Sequence, residues 1–359
     1  MRAKINRLHD NHSRASRVDF DLSRNELHFD PLPQVQTILE SSFGALGRYP
    51  LADSVARLMA QIGALHNVRP EHVVIGPGSV GVLDAVLHAE TQVDRSTLFS
   101  VPSFDEYSVL ISRAGGTPIG VGSDPAGHQQ LDRILGRVDS STRQVVITAP
   151  HNPTGASVSL DELAVLRRGL PDTVLLIVDQ AYAEFDQSLP PDVVCRTVTE
   201  LENVVVLRSF SKAYGLAGLR IGYGVFSSGV RAARVRAAVP AFAVNSVALA
   251  AAQESLAHQQ QLADRVASVI RNRCRLEDFL RERDLFSGTA SRGNFVWLPT
   301  PDSATLVDHL VGEGILVRQY PGFGVRITVQ SEDSVAAVVR SLSTYSSRPR
   351  GGARNVVDA

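Results

Sequence analysis

Two of the 36 basic residues in this chain are lysines, Lys4 and Lys212, and the rest are arginines. Wherever a surface cation would serve, the sequence uses arginine. A lysine kept inside an apolar, glycine-containing segment therefore points to chemistry a guanidinium cannot do. A desolvated primary amine can lose its proton and attack a carbonyl to form a Schiff base. Lys212 lies in the stretch 209–220, which reads Ser-Phe-Ser-Lys-Ala-Tyr-Gly-Leu-Ala-Gly-Leu-Arg. Ser209 and Ser211 offer hydroxyls, and Arg220 stands just beyond two glycines that let backbone approach a ligand closely. Together they could hold a phosphate beside the amine. An amine next to a phosphate cup suggests pyridoxal phosphate (PLP); the competing reading is a chance lysine on a solvated loop.

The elements that must position this stretch are legible as an alternation. Apolar, β-rich runs lie at 73–75, 97–101, 144–149, 174–179, 204–208 and 221–226, with helical patterns at 81–89, 105–114 and 160–168 between several of them. That alternation predicts a mainly parallel sheet with helices on both faces. Such sheets bind ligands at the carboxyl ends of their strands, where loops and helix N-termini converge.

Three further candidate elements fall at strand ends. Gly76-Pro77-Gly78-Ser79-Val80-Gly81 runs into a helix whose N-terminus has unpaired N–H groups for an anion, although a plain strand-to-helix turn would read the same. His151-Asn152-Pro153-Thr154-Gly155 is a rigid turn that would aim Asn152 outward. Asp179-Gln180-Ala181-Tyr182 closes an apolar run, so Asp179 is either a partly buried acid needing a cationic partner or a helix N-cap.

The flanking text is less regular. Residues 1–20 are polar and arginine-rich and read as an arm. From Phe20 to Pro33 the chain reads as an extended loop in which Asn25 could line a site, and a loop at 47–50 precedes an amphipathic helix at 53–66. After residue 226 helical text dominates, at 230–238 and then over one long stretch from 244 to about 283. Strands at 294–298, 315–317 and 325–329 with helices at 303–312 and 333–342 then predict a smaller α+β module. The 346–359 tail, with Arg-Pro-Arg-Gly-Gly, is expected to be disordered.

Composition bounds the rest. At 359 residues the chain exceeds what one core usually serves, roughly 250–300 residues, so two domains are expected. The divisions predicted are an arm at 1–44 that is partly small domain, a large PLP-binding domain at 45–240, a small C-terminal domain at 241–345, and the tail. A net charge of −1 gives no electrostatic reason to expect nucleic acid or an anionic membrane as partner. Cys195 and Cys274 are too few for a disulfide framework, no apolar signal core follows Met1, and the most apolar run, 237–252, is interrupted by Pro240, Asn245 and Ser246. These features predict a cytoplasmic protein. No metal site is expected.

Taken in order, Arg48-Tyr49-Pro50, the 76–81 turn, the 151–155 turn, the 179–182 block, the 209–220 stretch and Val325-Arg326-Ile327-Thr328-Val329 resemble the signature blocks of fold-type I PLP-dependent aminotransferases. Within that class the chain is most similar to the histidinol-phosphate aminotransferase-like group, over about residues 20–345. The resemblance implies an α/β fold with a mainly parallel seven-stranded sheet, a small α+β C-terminal domain, and a homodimer. It implies transfer of an amino group between an amino acid, or a histidinol phosphate-like amine, and a 2-oxo acid.

The resemblance also assigns roles. Lys212 would hold PLP as an internal aldimine and then act as general base. Asp179 would pair with the pyridinium nitrogen, while Asn152 and Tyr182 would hydrogen-bond the ring's phenolic oxygen. Gly78, Ser79, Val80, Ser209, Ser211 and Arg220 would line the phosphate site, with Tyr49 reaching in from a second subunit. Phe104 stands where a ring-stacking tyrosine is usual. Arg326 would clamp the substrate carboxylate with donors left unpaired until it arrives, Asn25 would line the substrate, and Arg318 is the candidate for a distal anion.

The departures fall on substrate recognition. A Pro-Tyr element before Asp19 is missing, Val80 replaces a residue that is often acidic, and the 318–326 connection is short. The resemblance therefore leaves open histidinol phosphate and an aromatic or basic amino acid. It also leaves open a decarboxylase, cyclase or oxidase built on the same pocket. A PLP-sensing regulator would need an attached DNA-binding domain, and the stretch before the first block, Arg48-Tyr49-Pro50, is short for one and lacks a helix-turn-helix pattern.

Overall fold

The computed structural model describes residues 17–90, 95–190, 192–286 and 288–345. Lys4, most of the predicted arm and the predicted tail lie outside the described residues.

Seven strands form the principal sheet: β2 (Val73–Gly76), β3 (Ser96–Val101), β4 (Thr117–Gly122), β5 (Thr142–Thr148), β6 (Leu175–Asp179), β7 (Val204–Ser209) and β8 (Gly222–Phe226). They are ordered β2-β8-β7-β6-β5-β3-β4. The pairs from β7 through β4 are parallel, and β8 runs antiparallel to both neighbours. The central strands read as unbroken apolar runs because both of their faces are covered: Val204, Val205, Val206 and Leu207 are all wholly buried. Each such side chain contributes about 1.5–3 kcal/mol relative to exposure.

The predicted strands and helices fall where expected within a few residues, and β4 is the strand of this sheet that the sequence reading missed. Its text, Thr-Pro-Ile-Gly-Val-Gly, carries a proline and two glycines, which is tolerable because β4 is an edge strand. Gly120 is also required there, since a Cβ would lie 2.8 Å from Val101 Cγ1 on the neighbouring strand.

Two smaller sheets complete the chain. Strand β1 (Phe20–Asp21) pairs in parallel with β10 (Ile315–Leu316), and β9 (Phe295–Pro299), β11 (Arg318–Tyr320) and β12 (Gly324–Thr328) form an antiparallel sheet in the order β11-β12-β9. The stretch read as one helix from 244 to 283 is two, Ser246–Ala257 and Gln259–Glu282, which part at His258. No proline or glycine marks that break. It arises because the first helix packs on helices Pro33–Ser42 and Ala52–His66, and the second on Glu332–Thr344. Helices Leu131–Leu135 and Val193–Glu200 were also missed, as was Pro33–Ser42, although Pro33 at its first position is a start signal.

Candidate active site

The parallel strands bring three predicted blocks to one edge. Thr148 at the end of β5 lies opposite Asp179 at the end of β6, and Asp179 lies opposite Leu207, two residues before Ser209 at the end of β7. The 151–155 turn, the 179–182 block and the Lys212 turn therefore leave the sheet side by side. The antiparallel strand β8 adds the fourth: Gly222 stands opposite both Ser209 and Gly76. A Cβ on Gly222 would lie 2.3 Å from the Ser79 backbone nitrogen, so glycine is what lets the N-terminus of helix Gly78–Glu90 approach this edge.

Lys212 sits on a tight turn closed by hydrogen bonds from Gly215 N to Lys212 O and from Leu216 N to Phe210 O, both 2.9 Å, with Gly215 at φ +69. Its half-buried side chain ends with Nζ donating to the carbonyl oxygens of Arg24 (3.0 Å) and Asn25 (3.2 Å), 5.8 Å from the centre of the Tyr182 ring. Burial, then the charges of Arg326 and Arg220, lower its pKa to about 7, against a pull upward from Glu26. The amine therefore loses its proton near neutrality.

One hydrogen-bonded cluster surrounds it. Asn25, in the left-handed region at φ +55, donates from Nδ2 to the Tyr182 hydroxyl (3.0 Å), and its Oδ1 accepts from Thr328 (3.0 Å). Burial pushes the Tyr182 phenol up to about 12, opposed by Arg326, so it stays protonated. Arg326, on β12 two residues before Thr328, donates to Asn152 Oδ1, to the Ser23 carbonyl (2.6 Å) and to the Tyr320 hydroxyl (3.4 Å). The expectation that its donors wait unpaired is thus corrected. Both terminal nitrogens have partners and only the buried Nε lacks one. All three acceptors are neutral, however, and among the described residues no carboxylate pairs with Arg326.

Asp179 is held differently. Tyr107 donates to its Oδ2 at 2.7 Å and the Ala181 backbone N–H to its Oδ1 at 3.1 Å. Burial raises its pKa, and these two donors only partly offset that. Among the described residues no cation pairs with it. The helix N-cap reading fails, since the Asp179 side chain caps no helix. A half-buried acid without a counter-ion fits a cationic ligand atom at this point.

The phosphate-cup residues also meet. The Arg220 guanidinium donates to Ser211 Oγ (3.3 Å) and to the Ala217 carbonyl (2.8 Å), and the Ser211 N–H donates to Ser209 Oγ (3.0 Å). Gly78 has φ +79, and a Cβ there would lie 2.7 Å from Arg220 Nη2. Arg220 is exposed and, among the described residues, has no acidic partner. A helix N-terminus, two serines and an uncompensated guanidinium converge, which suits a phosphate. Ser79 is buried and Val80 half-buried at that N-terminus. Phe104 packs edge-on against Tyr107, with centroids 5.4 Å apart.

Two predicted residues make no hydrogen bond to this cluster. Tyr49 is exposed and stacks on Phe242 at 4.5 Å. Arg318, directly opposite Arg326 on the neighbouring strand, forms an ion pair with Asp105. Sequence reading missed Tyr107, Tyr320, Thr328 and Asp105. Thr328 had a signal, since residues two apart on a strand share a face with Arg326; the others are brought in by tertiary packing.

Residues 17–342 match the family model described as aminotransferase class I and II. The chain belongs to that family. This aminotransferase is 38% identical to an aromatic amino acid aminotransferase of Thermobifida fusca, over 91% of this chain and 90% of that one. It is 35% identical to an aromatic amino acid aminotransferase of Streptomyces avermitilis, over 89% of each. In fold it matches the crystal structure of histidinol-phosphate aminotransferase from Sinorhizobium meliloti in complex with pyridoxal-5'-phosphate, with TM-score 0.82, 24% identity and 92% of each chain covered. At that identity the likeness speaks to fold, and it bears out the fold-type I expectation.

Proposed function

We propose that this aminotransferase takes PLP in the Lys212 site and moves the amino group of an aromatic amino acid to a 2-oxo acid. The observation that carries the cofactor reading is the charge pattern around one amine: among the described residues, two guanidiniums without acid partners, Arg220 and Arg326, and one half-buried carboxylate without a cation, Asp179. A ligand with a phosphate and a protonated ring nitrogen would answer Arg220 and Asp179 together. Arg326 is left for the carboxylate of the substrate. When bound, PLP supplies an electron sink for the bond broken at the amino acid's α-carbon.

This chain's residues would divide the remaining work. Gly78, Ser79, Val80, Ser209, Ser211 and Arg220 would bind the phosphate. Asp179 would keep the ring nitrogen protonated, with Tyr107 fixing its carboxylate. Asn152 and Tyr182 would hold the ring oxygen, and Phe104 would cover a ring face. Lys212, neutral near pH 7, would carry the cofactor's aldehyde carbon and move the proton at the substrate's α-carbon. Asn25 would fix the substrate side of the pocket through its bonds to Tyr182 and Thr328.

The aromatic assignment is supported by the relatives' names and by the rings about Arg326. Its guanidinium lies 5.7 Å from the Phe295 centroid and 6.0 Å from that of Tyr320. We further propose that residues 45–240 form the cofactor domain and 241–345, with part of 1–44, the smaller one. The seven-stranded sheet lies wholly within the first and the three-stranded sheet within the second.

The test is direct. Borohydride reduction of PLP-loaded protein, followed by peptide mapping, should place the label on Lys212. An amino-acid panel read by loss of the cofactor's visible absorbance should rank aromatic donors first. A colourless protein that takes up no PLP sinks the cofactor reading; a panel led by histidinol phosphate or a basic amino acid sinks the substrate reading.

A further inference from the structure

Two arginines face the site from adjacent strands, and they differ in one respect. Arg318 and Arg326 are direct cross-strand partners in the β11–β12 ladder, so both side chains leave the same face. Tyr320, two residues after Arg318, shares that face. Its hydroxyl accepts from Arg326 at 3.4 Å, and the charges of both guanidiniums act on this one phenol. Arg326 is buried and touches only neutral acceptors. Arg318 is paired with a carboxylate, that of Asp105.

Asp105 is well placed for this. It lies between Phe104 and helix Glu106–Arg113, the helix whose Tyr107 hydroxyl donates to Asp179. The ion pair thus joins the cofactor side of the site to the β11–β12 side. The side chains are 22% exposed for Arg318 and 45% for Asp105, so the pair stands where water can replace either partner. Ion pairs that wet are weak enough to be exchanged.

We propose that Asp105 is a specificity-determining counter-ion: it occupies Arg318, so the substrate side of the site, away from Arg220, offers one uncompensated cation, Arg326, and discriminates against a second anionic group on the substrate. A ligand with one carboxylate and an uncharged side chain meets Arg326 and leaves the Arg318–Asp105 pair intact. A dicarboxylate must place its second carboxylate near Arg318, where it either displaces Asp105 or suffers its repulsion. The inference rests on the proposed reading of Arg326 as the carboxylate site and deepens it by naming the side-chain class excluded. Asp105 acts through Arg318 and is a positioning residue.

Binding of unreactive ligands tests this without turnover. Titration calorimetry would compare glutarate, a dicarboxylate, with 3-phenylpropionate, a monocarboxylate, on purified protein with and without added PLP. Asp105→Asn should shift the ratio of affinities toward glutarate by about tenfold. The shift should vanish in the Asp105→Asn, Arg318→Gln double variant, because the released cation is gone. In the PLP-loaded enzyme the same variant should lower KM for 2-oxoglutarate more than it changes kcat. An unchanged ratio, equal changes for both ligands, or a shift that survives Arg318→Gln would each overturn the proposal. Absence of PLP uptake or amino transfer would instead overturn the functional reading, leaving the calorimetric ratio to decide the role of Asp105.

Discussion

At the scale of single residues, the site leaves charges unanswered. Lys212 is squeezed toward its neutral form by burial and by Arg326 and Arg220, and the neutral form is the one that attacks a carbonyl. Capture of PLP by cofactor-free protein should therefore accelerate about tenfold per pH unit below 7 and level off above it, following the unprotonated fraction. Stopped-flow absorbance gives that profile; an inflection near the ordinary lysine range would contradict the electrostatics described. Asp179 presents the opposite case, an acid whose burial is only partly offset by Tyr107 and Ala181. Asp179→Asn keeps the shape and removes the charge. PLP should still bind through its phosphate, while turnover falls by on the order of 10²–10³ or more, as when preorganised charge stabilisation is lost. Near-normal turnover by that variant would remove Asp179 from the mechanism.

Elements matter here through how closely they approach. The N-terminus of helix Gly78–Glu90 reaches the proposed phosphate cup because Gly222 on β8 has no side chain. In Gly222→Ala the added methyl would meet the backbone of Ser79, which has no rotamer to escape into, so the helix start must move. PLP affinity should drop at least tenfold while the fold persists, read as a weakened dissociation constant with near-native circular dichroism. Unaltered affinity would show that the helix end is not part of the cup. The alanine at this position tests the geometry of an element with no functional side chain involved.

For the molecule as a whole, the question is what covers Tyr49. Phe43, Leu46, Tyr49 and Leu51 are exposed along one short segment, and Tyr49 stacks on an equally exposed Phe242. Large apolar groups gathered in this way mark an interaction surface. We propose that a second copy covers them, with Tyr49 completing its neighbour's phosphate site. Sedimentation should find a homodimer, and Tyr49→Ala should weaken PLP binding. An active monomer at high dilution would refute the shared site.

The residues that converge at the candidate site, and six of the seven strands of the large sheet, are legible in the amino-acid order. A lone internal lysine among arginines, a Ser-x-Ser pair and an apolar run ending in Asp179 are local statements, and local statements survive in the text. Central strands buried on both faces are legible for the same reason, since every residue must be apolar. What tertiary structure alone decided depends on contacts between distant segments. The edge strand β4 has too little apolar text to declare itself. The break at His258 is set by which helices pack on either side of it. Tyr107, Tyr320 and Asp105 acquire meaning only when folding sets them against Asp179, Arg326 and Arg318. Arg326 shows the division most plainly: the sequence predicted a guanidinium that reaches the site, but two of its three neutral partners come from segments 174 and 303 residues away. Spacing along a chain carries no record of such distances.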